Sequence, residues 1–224
     1  MHRDVHREEE PQSNGFSAPD SLAANDTLVV FEEPEIPPRI YACGVENPES
    51  DAPVYVVFED GVRVKEFSLP ASAADAHFLI GRDMYVTLTE GAETSVYKNG
   101  VPAFSYPARE YIKGLIVRPD GLWSLGVDRG GDGFALRKDG GLVFGKTSGI
   151  PGRMFEDEGH LYFDYALVIG GKTMRYLVRD GADYALTAPS GGELLAAMVS
   201  GGDMWVLESC VDGWLLSCGE RKYQ

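Results

Sequence analysis

The sequence predicts an all-β fold of five repeats of about forty residues. Two recurring features predict it, and the spacing of each varies independently of the other. The first is a turn phrase that ends in glycine, and its copies are Phe58-Glu59-Asp60-Gly61, Tyr97-Lys98-Asn99-Gly100, Arg137-Lys138-Asp139-Gly140, Val178-Arg179-Asp180-Gly181 and Leu216-Ser217-Cys218-Gly219. These glycines are 39, 40, 41 and 38 residues apart. The second is an aromatic residue upstream of each phrase: Tyr41, Tyr85, Trp123, Tyr162 and Trp205. A period of this length is typical of solenoids and propellers.

Each repeat divides into four short strands. In the second copy they are predicted at residues 77–80, 84–88, 94–98 and 101–106. Asn99-Gly100 lies between the last two strands, and this dipeptide favours a type I′ hairpin because both of its residues tolerate a positive φ. Asp139-Gly140 and Asp180-Gly181 predict the same turn in later copies. Residues 193–198 have good helix propensity, but their position in the repeat predicts a strand.

Radial repetition of four-stranded units predicts a five-bladed β-propeller. The blades are expected at residues 27–72, 73–110, 111–151, 152–192 and 193–224. The last repeat is short, so an open or partial propeller completed by a partner chain is the alternative. Residues 1–26 are polar and lack a hydrophobic pattern, and they are expected to form a disordered or loosely ordered acidic arm.

The repeat pattern also resembles a known group. The phrase Asp-x-[Tyr/Trp]-Val followed by Lys-[Asn/Asp]-Gly looks like the repeats of uncharacterised bacterial β-propeller proteins, and the likeness covers about residues 39–219. The resemblance implies a propeller and a bacterial source, and it implies no activity. The first and last copies depart from the pattern, since Glu59-Asp60 and Ser217-Cys218 replace the Lys-[Asn/Asp] pair.

The composition excludes several function classes. The 224 residues carry a net charge of −15, which argues against nucleic-acid binding and against adhesion to anionic membranes. No stretch approaches the roughly 20 apolar residues of a transmembrane helix. The sequence leaves two locations open, the cytoplasm and export or lipid anchoring after removal of a signal peptide.

The cysteines predict neither a metal site nor a redox motif, because Cys43, Cys210 and Cys218 have no metal-ligand spacing. Cys43 is expected to be a small buried residue. Cys210 and Cys218 flank the last hairpin, and the sequence leaves open whether they face each other and form a disulfide.

Four features of the sequence are candidates for a chemical role. His160 is interpreted as an exposed turn residue beside an acidic run. Asp164 stands in a position that is apolar or Thr in the other repeats, and it is expected to form an ion pair with Lys172 or Arg175. Residues 127–133 are interpreted as a solvated glycine-rich hairpin loop, because the spacing of a calcium loop is broken at Gly130. The connection at residues 106–111 is both aromatic and charged.

The sequence predicts a weak binding site and no catalytic residue. Its candidate residues are Tyr106, Arg109, Tyr111, Arg153 and Asp164. Tyr and Arg are enriched where proteins bind partners, although capping of the core between blades is the favoured interpretation of the two tyrosines. No cofactor and no metal is predicted.

Three functions remain open at this point. The first is a non-enzymatic binding scaffold for an unknown protein or carbohydrate ligand, because no catalytic motif is present. The second is a carbohydrate-active hydrolase or lyase that uses carboxylates on one face of the propeller channel. It requires two carboxylates within about 10 Å of each other in one pocket. The third is a subunit of a surface assembly.

Overall fold

Five antiparallel sheets, built from strands that are consecutive in the chain, make up the described part of this protein. The computed structural model describes residues 38–69, 74–188, 191–211, 213–219 and 221–223. The predicted arm at 1–26 and the first part of the first predicted blade, up to residue 37, lie outside the described residues. The all-β class predicted from the repeat is confirmed. Residues 193–198 lie in a strand, as their position in the repeat predicted.

The strands are numbered in chain order. Sheet 1 contains β1 (Tyr41–Glu46), β2 (Val54–Glu59) and β3 (Val62–Ser68). Sheet 2 contains β4 (Ala76–Ile80), β5 (Asp83–Glu90), β6 (Glu93–Lys98) and β7 (Val101–Tyr106). Sheet 3 contains β8 (Glu110–Arg118), β9 (Gly121–Asp128), β10 (Phe134–Lys138) and β11 (Gly141–Lys146). Sheet 4 contains β12 (Ile150–Pro151), β13 (Phe155–Asp157), β14 (His160–Ile169), β15 (Lys172–Arg179) and β16 (Ala182–Ala185). Sheet 5 contains β17 (Glu193–Ser200), β18 (Asp203–Cys210), β19 (Gly213–Cys218) and β20 (Arg221–Tyr223).

In the first four turn phrases, the Asp or Asn is hydrogen-bonded to the start of the strand that precedes its hairpin. Asp60, Asn99, Asp139 and Asp180 have φ between 49° and 51°. Their side-chain oxygens accept hydrogen bonds from the backbone amides of Ile40, Met84, Leu122 and Leu161 at 2.9–3.0 Å. Their own amides donate to the carbonyl oxygens of those same four residues at 2.8–2.9 Å. A short polar side chain that tolerates a positive φ is therefore needed here.

The fifth turn departs from this arrangement, and it corrects the sequence alignment. Strand β19 ends at Cys218 and β20 begins at Arg221. Cys218 lies opposite Trp205, just as Lys138 lies opposite Trp123. Gly219 therefore occupies the position of Asp139. The alignment of the turn phrases in the sequence had instead placed Gly219 at the position of Gly140. Glycine reaches the required positive φ, here 56°, without any side-chain hydrogen bond.

Hydrophobic clusters join each sheet to the next along the chain. Within the described residues, one cluster joins sheets 1 and 2, one joins sheets 2 and 3, one joins sheets 3 and 4, and one joins sheets 4 and 5. The largest fills the space between sheets 3 and 4 with Phe134, Leu136, Phe163 and Tyr165, each at most 4% exposed.

The structure decides whether Cys210 and Cys218 of the last hairpin face each other, which the sequence left open. Cys210 lies opposite Gly213 and Cys218 lies opposite Trp205, so the two cysteines sit at opposite ends of the paired strands. Five residues of strand separate these positions by about 17 Å, far beyond the roughly 7 Å that a disulfide spans. Cys43 lies half-buried in β1.

Candidate functional site

A pocket of about 520 Å³ lies where the β5–β6 turn and the β7–β8 connection meet one end of sheet 3. Residues that line it include Ala92, Arg109, Glu110, Asp128, Phe134 and Lys146. It brings together two stretches that the sequence had separated, the connection at 106–111 and the loop at 127–133. Two carboxylates and two cations line the same space, which makes it the candidate site.

Glu110 and Asp128 lie opposite each other on β8 and β9. The Asp128 amide donates to the carbonyl oxygen of Gly133 at 2.9 Å, on the side of β9 that faces away from β8. Glu110 and Asp128 therefore form a non-hydrogen-bonded antiparallel pair, in which opposite side chains lie closest, with Cβ atoms about 4.5–5.5 Å apart. The two carboxylates start from neighbouring points on the same face of sheet 3.

A β-bulge at Lys113 creates this pairing. The register of β8 against β9 shifts by one residue between Ile112 and Gly114. Without the shift, Tyr111 rather than Glu110 would stand opposite Asp128. Bulges of this kind re-aim side chains at the rims of sheets.

Glu110 is held in place by an ion pair and a phenol. The Arg137 guanidinium contacts both carboxylate oxygens at 2.7–3.2 Å, and the side chains of Arg137 and Glu110 are 14% and 7% exposed. The Tyr106 hydroxyl donates to Oε2 at 3.0 Å. Burial and the neighbouring Glu110 charge raise the pKa of Tyr106, so its hydroxyl stays protonated as a donor.

Gly126 leaves the space that the Glu110 side chain fills. A Cβ at Gly126 would lie 2.4 Å from Oε2 of Glu110 and 3.0 Å from its Cβ. The glycine is required here by close approach and not by its backbone conformation. Any larger residue at 126 would displace the carboxylate from Arg137.

Asp128 is exposed, in contrast to Glu110. Its Oδ1 accepts a hydrogen bond from the amide of Gly130 at 2.9 Å, which fixes the start of the loop. The Asp128 carboxylate is thus positioned by its own loop and remains open to solvent and to a bound molecule. The loop at residues 128–132 is exposed throughout, as the sequence predicted.

Two cations border the carboxylates. Lys146 contacts Asp183 at 2.9 Å, and its ammonium lies 5.2 Å from the ring centre of Phe144. Arg109 is exposed, and across the described ranges its guanidinium takes part in no ion pair. Arg109 is therefore the cation that a bound polar molecule would meet first.

The structure brings only part of the predicted binding set to this pocket. Arg109 lines it, and Tyr106 stands behind it, 5% exposed, as a partner of Glu110. Tyr111 is 45% exposed beneath the guanidinium of Arg129, 5.9 Å from its ring centre. Arg153 is exposed between β12 and β13 of sheet 4 and is not one of the residues that line the pocket.

Asp164 also lies in sheet 4 and forms the ion pair that the sequence predicted. Its Oδ2 accepts a hydrogen bond from Nη1 of Arg175 at 2.9 Å, and its side chain is 14% exposed. His160 begins β14, where its Nδ1 lies 2.6 Å from Oδ2 of Asp180. Neither residue lines the pocket.

Sequence reasoning missed Glu110, Asp128 and Lys146 as members of one site. The charged connection at 106–111 and the loop at 127–133 had each been singled out, but their juxtaposition depends on the bulge in β8. No cluster of His, Cys, Asp or Glu able to hold a metal occurs in the part of the chain that the structure describes. The same part contains no helix that could cross a membrane.

Comparisons with known proteins give a fold likeness at low identity. No protein-family model and no curated protein matches the sequence. The chain is similar to the dihydro-heme d1 dehydrogenase NirN in complex with DHE, with 15% identity, a TM-score of 0.46, and coverage of 77% of this chain and 43% of that one. It is also similar to the acylaminoacyl peptidase of Pyrococcus horikoshii, with 12% identity, a TM-score of 0.48, and coverage of 83% and 36%.

The comparisons do not bear out the prediction of a non-enzymatic scaffold: the two structures named above are enzymes, although TM-scores this low assign no activity to this chain. The chain spans less than half the length of either structure, and identities this low transfer no substrate or residue role. The chemistry of this chain therefore has to be argued from its own pocket.

Proposed function

We propose that this chain is a hydrolase or lyase that acts on a carbohydrate or another small polar molecule bound in the pocket at the end of sheet 3. The observation that carries the proposal is the opposite placement of Glu110 and Asp128 in one pocket. Acid–base cleavage of glycosidic bonds uses two carboxyl groups about 5–10 Å apart.

The two carboxylates have different surroundings, which supports different roles. Asp128 is exposed and lines the pocket, so it is the group that gives a proton to the leaving oxygen and takes one back, from the attacking water in a hydrolase or from the substrate carbon in a lyase. Glu110 is held by Arg137 and Tyr106, so it supplies a fixed negative charge beside the reacting centre. Arg109 is the donor that orients a polar or anionic substituent of the substrate.

We also propose an arrangement for the five sheets. We take the five sheets as blades of a β-propeller spanning residues 27–224, of the type found in bacterial repeat proteins with a Lys-[Asn/Asp]-Gly turn. The regular sheet order and the clusters between consecutive sheets support it. A five-bladed propeller and an open one both remain compatible with this order.

The test is turnover of a panel of neutral and uronate-containing oligosaccharides by the purified chain. A hydrolase releases new reducing ends, and a lyase releases an unsaturated product that absorbs ultraviolet light. Asp128→Asn is expected to lower turnover by about a hundredfold or more, because proton transfer by a positioned side chain contributes at least that much.

Asp132→Asn is the matched control, since Asp132 is an exposed carboxylate of the same loop that does not line the pocket. It should leave turnover unchanged. The proposal is wrong if no member of the panel is cleaved, or if Asp128→Asn retains the turnover of the unaltered chain.

A further inference from the structure

Most charged groups at the pocket are already paired within the chain. Glu110 is paired with Arg137, and Lys146 contacts an aspartate of sheet 4 at 2.9 Å. Among the residues that the structure describes, Asp128 and Arg109 line the pocket without taking part in an ion pair. The pocket therefore offers one carboxylate and one guanidinium to a bound molecule.

The backbone on both sides of Arg109 is fixed by hydrogen bonds. Thr94 of β6 is completely buried, and its hydroxyl donates to the carbonyl oxygen of Ala108 at 2.6 Å. The same hydroxyl oxygen accepts a hydrogen bond from the amide of Glu110 at 3.0 Å. The carbonyl oxygen of Arg109 itself accepts one from the amide of Arg129 at 2.9 Å. The guanidinium therefore extends from a fixed point, so that less entropy is lost when it binds a ligand.

Arg109 is suited to a carboxylate ligand, because the planar guanidinium donates two parallel hydrogen bonds to the two oxygens of a carboxylate. The chain carries a net charge of −15, which repels anions at long range. An anionic ligand must therefore be held by a local cation, and Arg109 is the pocket cation that no carboxylate of the described residues neutralises. Among carbohydrates, the uronates carry the carboxylate that such a cation binds.

The two carboxylates of the pocket leave a single group for proton transfer. Both oxygens of Glu110 are occupied by Arg137, and one of them also by the Tyr106 hydroxyl. Hydrolysis of a glycosidic bond uses one carboxyl group as the acid and a second as base or nucleophile. A β-elimination needs only one group when the proton that is removed and the oxygen that leaves lie on the same side of the sugar ring. Asp128 alone can therefore carry out both proton transfers of an elimination.

We infer that the pocket cleaves uronate-containing glycans by β-elimination, an inference that rests on the proposed function. Arg109 binds the uronate carboxylate and offsets the negative charge that develops on it in the transition state. Asp128 takes the proton from the carbon next to that carboxylate. The electron pair of the broken C–H bond forms a double bond to the neighbouring carbon, and the bond from this carbon to the glycosidic oxygen breaks. The protonated Asp128 then gives its proton to the departing oxygen, so that neither water nor an oxidant is consumed.

The first test compares each uronate-containing oligosaccharide of the panel with the same oligosaccharide after its carboxylates have been reduced to alcohols. Mass spectrometry of the products distinguishes the two reactions. Elimination gives products whose masses add up to the mass of the substrate, whereas hydrolysis adds one water molecule. We expect elimination of the uronate forms and no cleavage of the reduced forms.

The second test removes the cation. Arg109→Gln should lower kcat/KM for a uronate substrate by about a hundredfold, since the loss of one donor to a developing charge costs about that much. Binding of glucuronate, followed by NMR titration, should weaken by about tenfold or more in the same variant, because hydrogen bonds to charged groups contribute that much. Arg153→Gln is the control, because Arg153 is an exposed arginine that does not line the pocket. It should leave both measurements unchanged.

The outcomes separate this inference from the proposed function. Products heavier by one water molecule, or equal cleavage of the reduced substrates, would overturn the elimination and leave the proposed function in place as a hydrolase. Unaltered turnover and glucuronate binding by Arg109→Gln would overturn the inference as well. Absence of cleavage throughout the panel would overturn both the inference and the proposed function.

Discussion

At the scale of single residues, carboxylates at strand ends hold neighbouring sheets together. Glu59 of β2 is 9% exposed and accepts hydrogen bonds from Arg82 at 2.7 Å, from Tyr41 at 3.2 Å and from Arg39. Arg82 lies in the turn before β5, so this contact crosses from sheet 1 to sheet 2. The hydrogen bonds of Arg82, and then of Arg39, lower the pKa of Glu59 to about 2.

This lowered pKa predicts a pH dependence of stability. The unfolded carboxyl group binds its proton near pH 4.5, and the folded one only near pH 2. Glu59 therefore stabilises the folded chain above about pH 4.5, and this contribution is lost as the pH falls towards 2. We expect Glu59→Gln to be less stable than the unaltered chain at neutral pH and to match it near pH 2, as measured by urea midpoints.

Glu66→Gln serves as the comparison for that series. Glu66 pairs with Arg63 in β3, but its side chain is 63% exposed. Exposed ion pairs contribute little to the free energy of unfolding. Loss of the Glu66–Arg63 pair should therefore change that free energy by less than about 0.5 kcal/mol at every pH measured. A constant difference between Glu59→Gln and the unaltered chain at all pH values would contradict the role assigned to Glu59.

At the scale of elements, the turn glycine has a second role in contacts between sheets. A Cβ at Gly100 would lie 2.9 Å from the Cβ of Phe67 in sheet 1, and one at Gly181 would lie 2.9 Å from Val143 in sheet 3. A Cβ at Gly61 would meet nothing within 4 Å, although its φ of 81° resembles the 83° of Gly100. The turn glycine of a sheet therefore allows that sheet to approach the last strand of the preceding sheet.

This difference can be measured with two alanine variants. Both Gly61→Ala and Gly100→Ala place a side chain at a positive φ, which costs about 1–2 kcal/mol. Gly100→Ala should cost about 1–3 kcal/mol more, because it also overpacks the contact with Phe67. Gly61→Ala thus isolates the backbone contribution. Equal urea midpoints for the two variants would show that the contact between sheets 1 and 2 does not depend on the glycine.

At the scale of the whole molecule, the hydrophobic clusters of the described residues support the interior sheets on two sides and the terminal sheets on one. Sheets 3 and 4 each share described clusters with two neighbours, whereas sheets 1 and 5 share them with one. In repeat proteins, stability is close to a sum of unit terms and interface terms between neighbours. The terminal sheets should therefore open first.

Hydrogen exchange followed by mass spectrometry tests this order. Peptides from β9 and β14 should exchange more slowly than peptides from β2 and β18 in dilute protein. Uniform protection of all four strands in dilute protein would show that the five sheets open as one cooperative unit.

The features that the sequence predicted have local causes, and those that it missed have non-local ones. The hairpins at Asn99-Gly100 and Asp139-Gly140 were predictable, because a positive φ and a short polar side chain are local requirements. The shifted fifth turn was not, because glycine satisfies the φ requirement at either turn position. The pairing of Glu110 with Asp128 was not predictable either, since one extra residue in β8 decides which side chain faces which.

By itself, the sequence determined the all-β class, the forty-residue period and the chemistry of each turn, because these follow from backbone preferences and from the spacing of apolar residues. Only the tertiary structure decided that Arg109, Glu110 and Asp128 share one pocket and that Asp164 instead pairs with Arg175. It also decided which apolar faces are covered. The physical reason is that strand register and contacts between sheets depend on the packing of residues far apart in the chain.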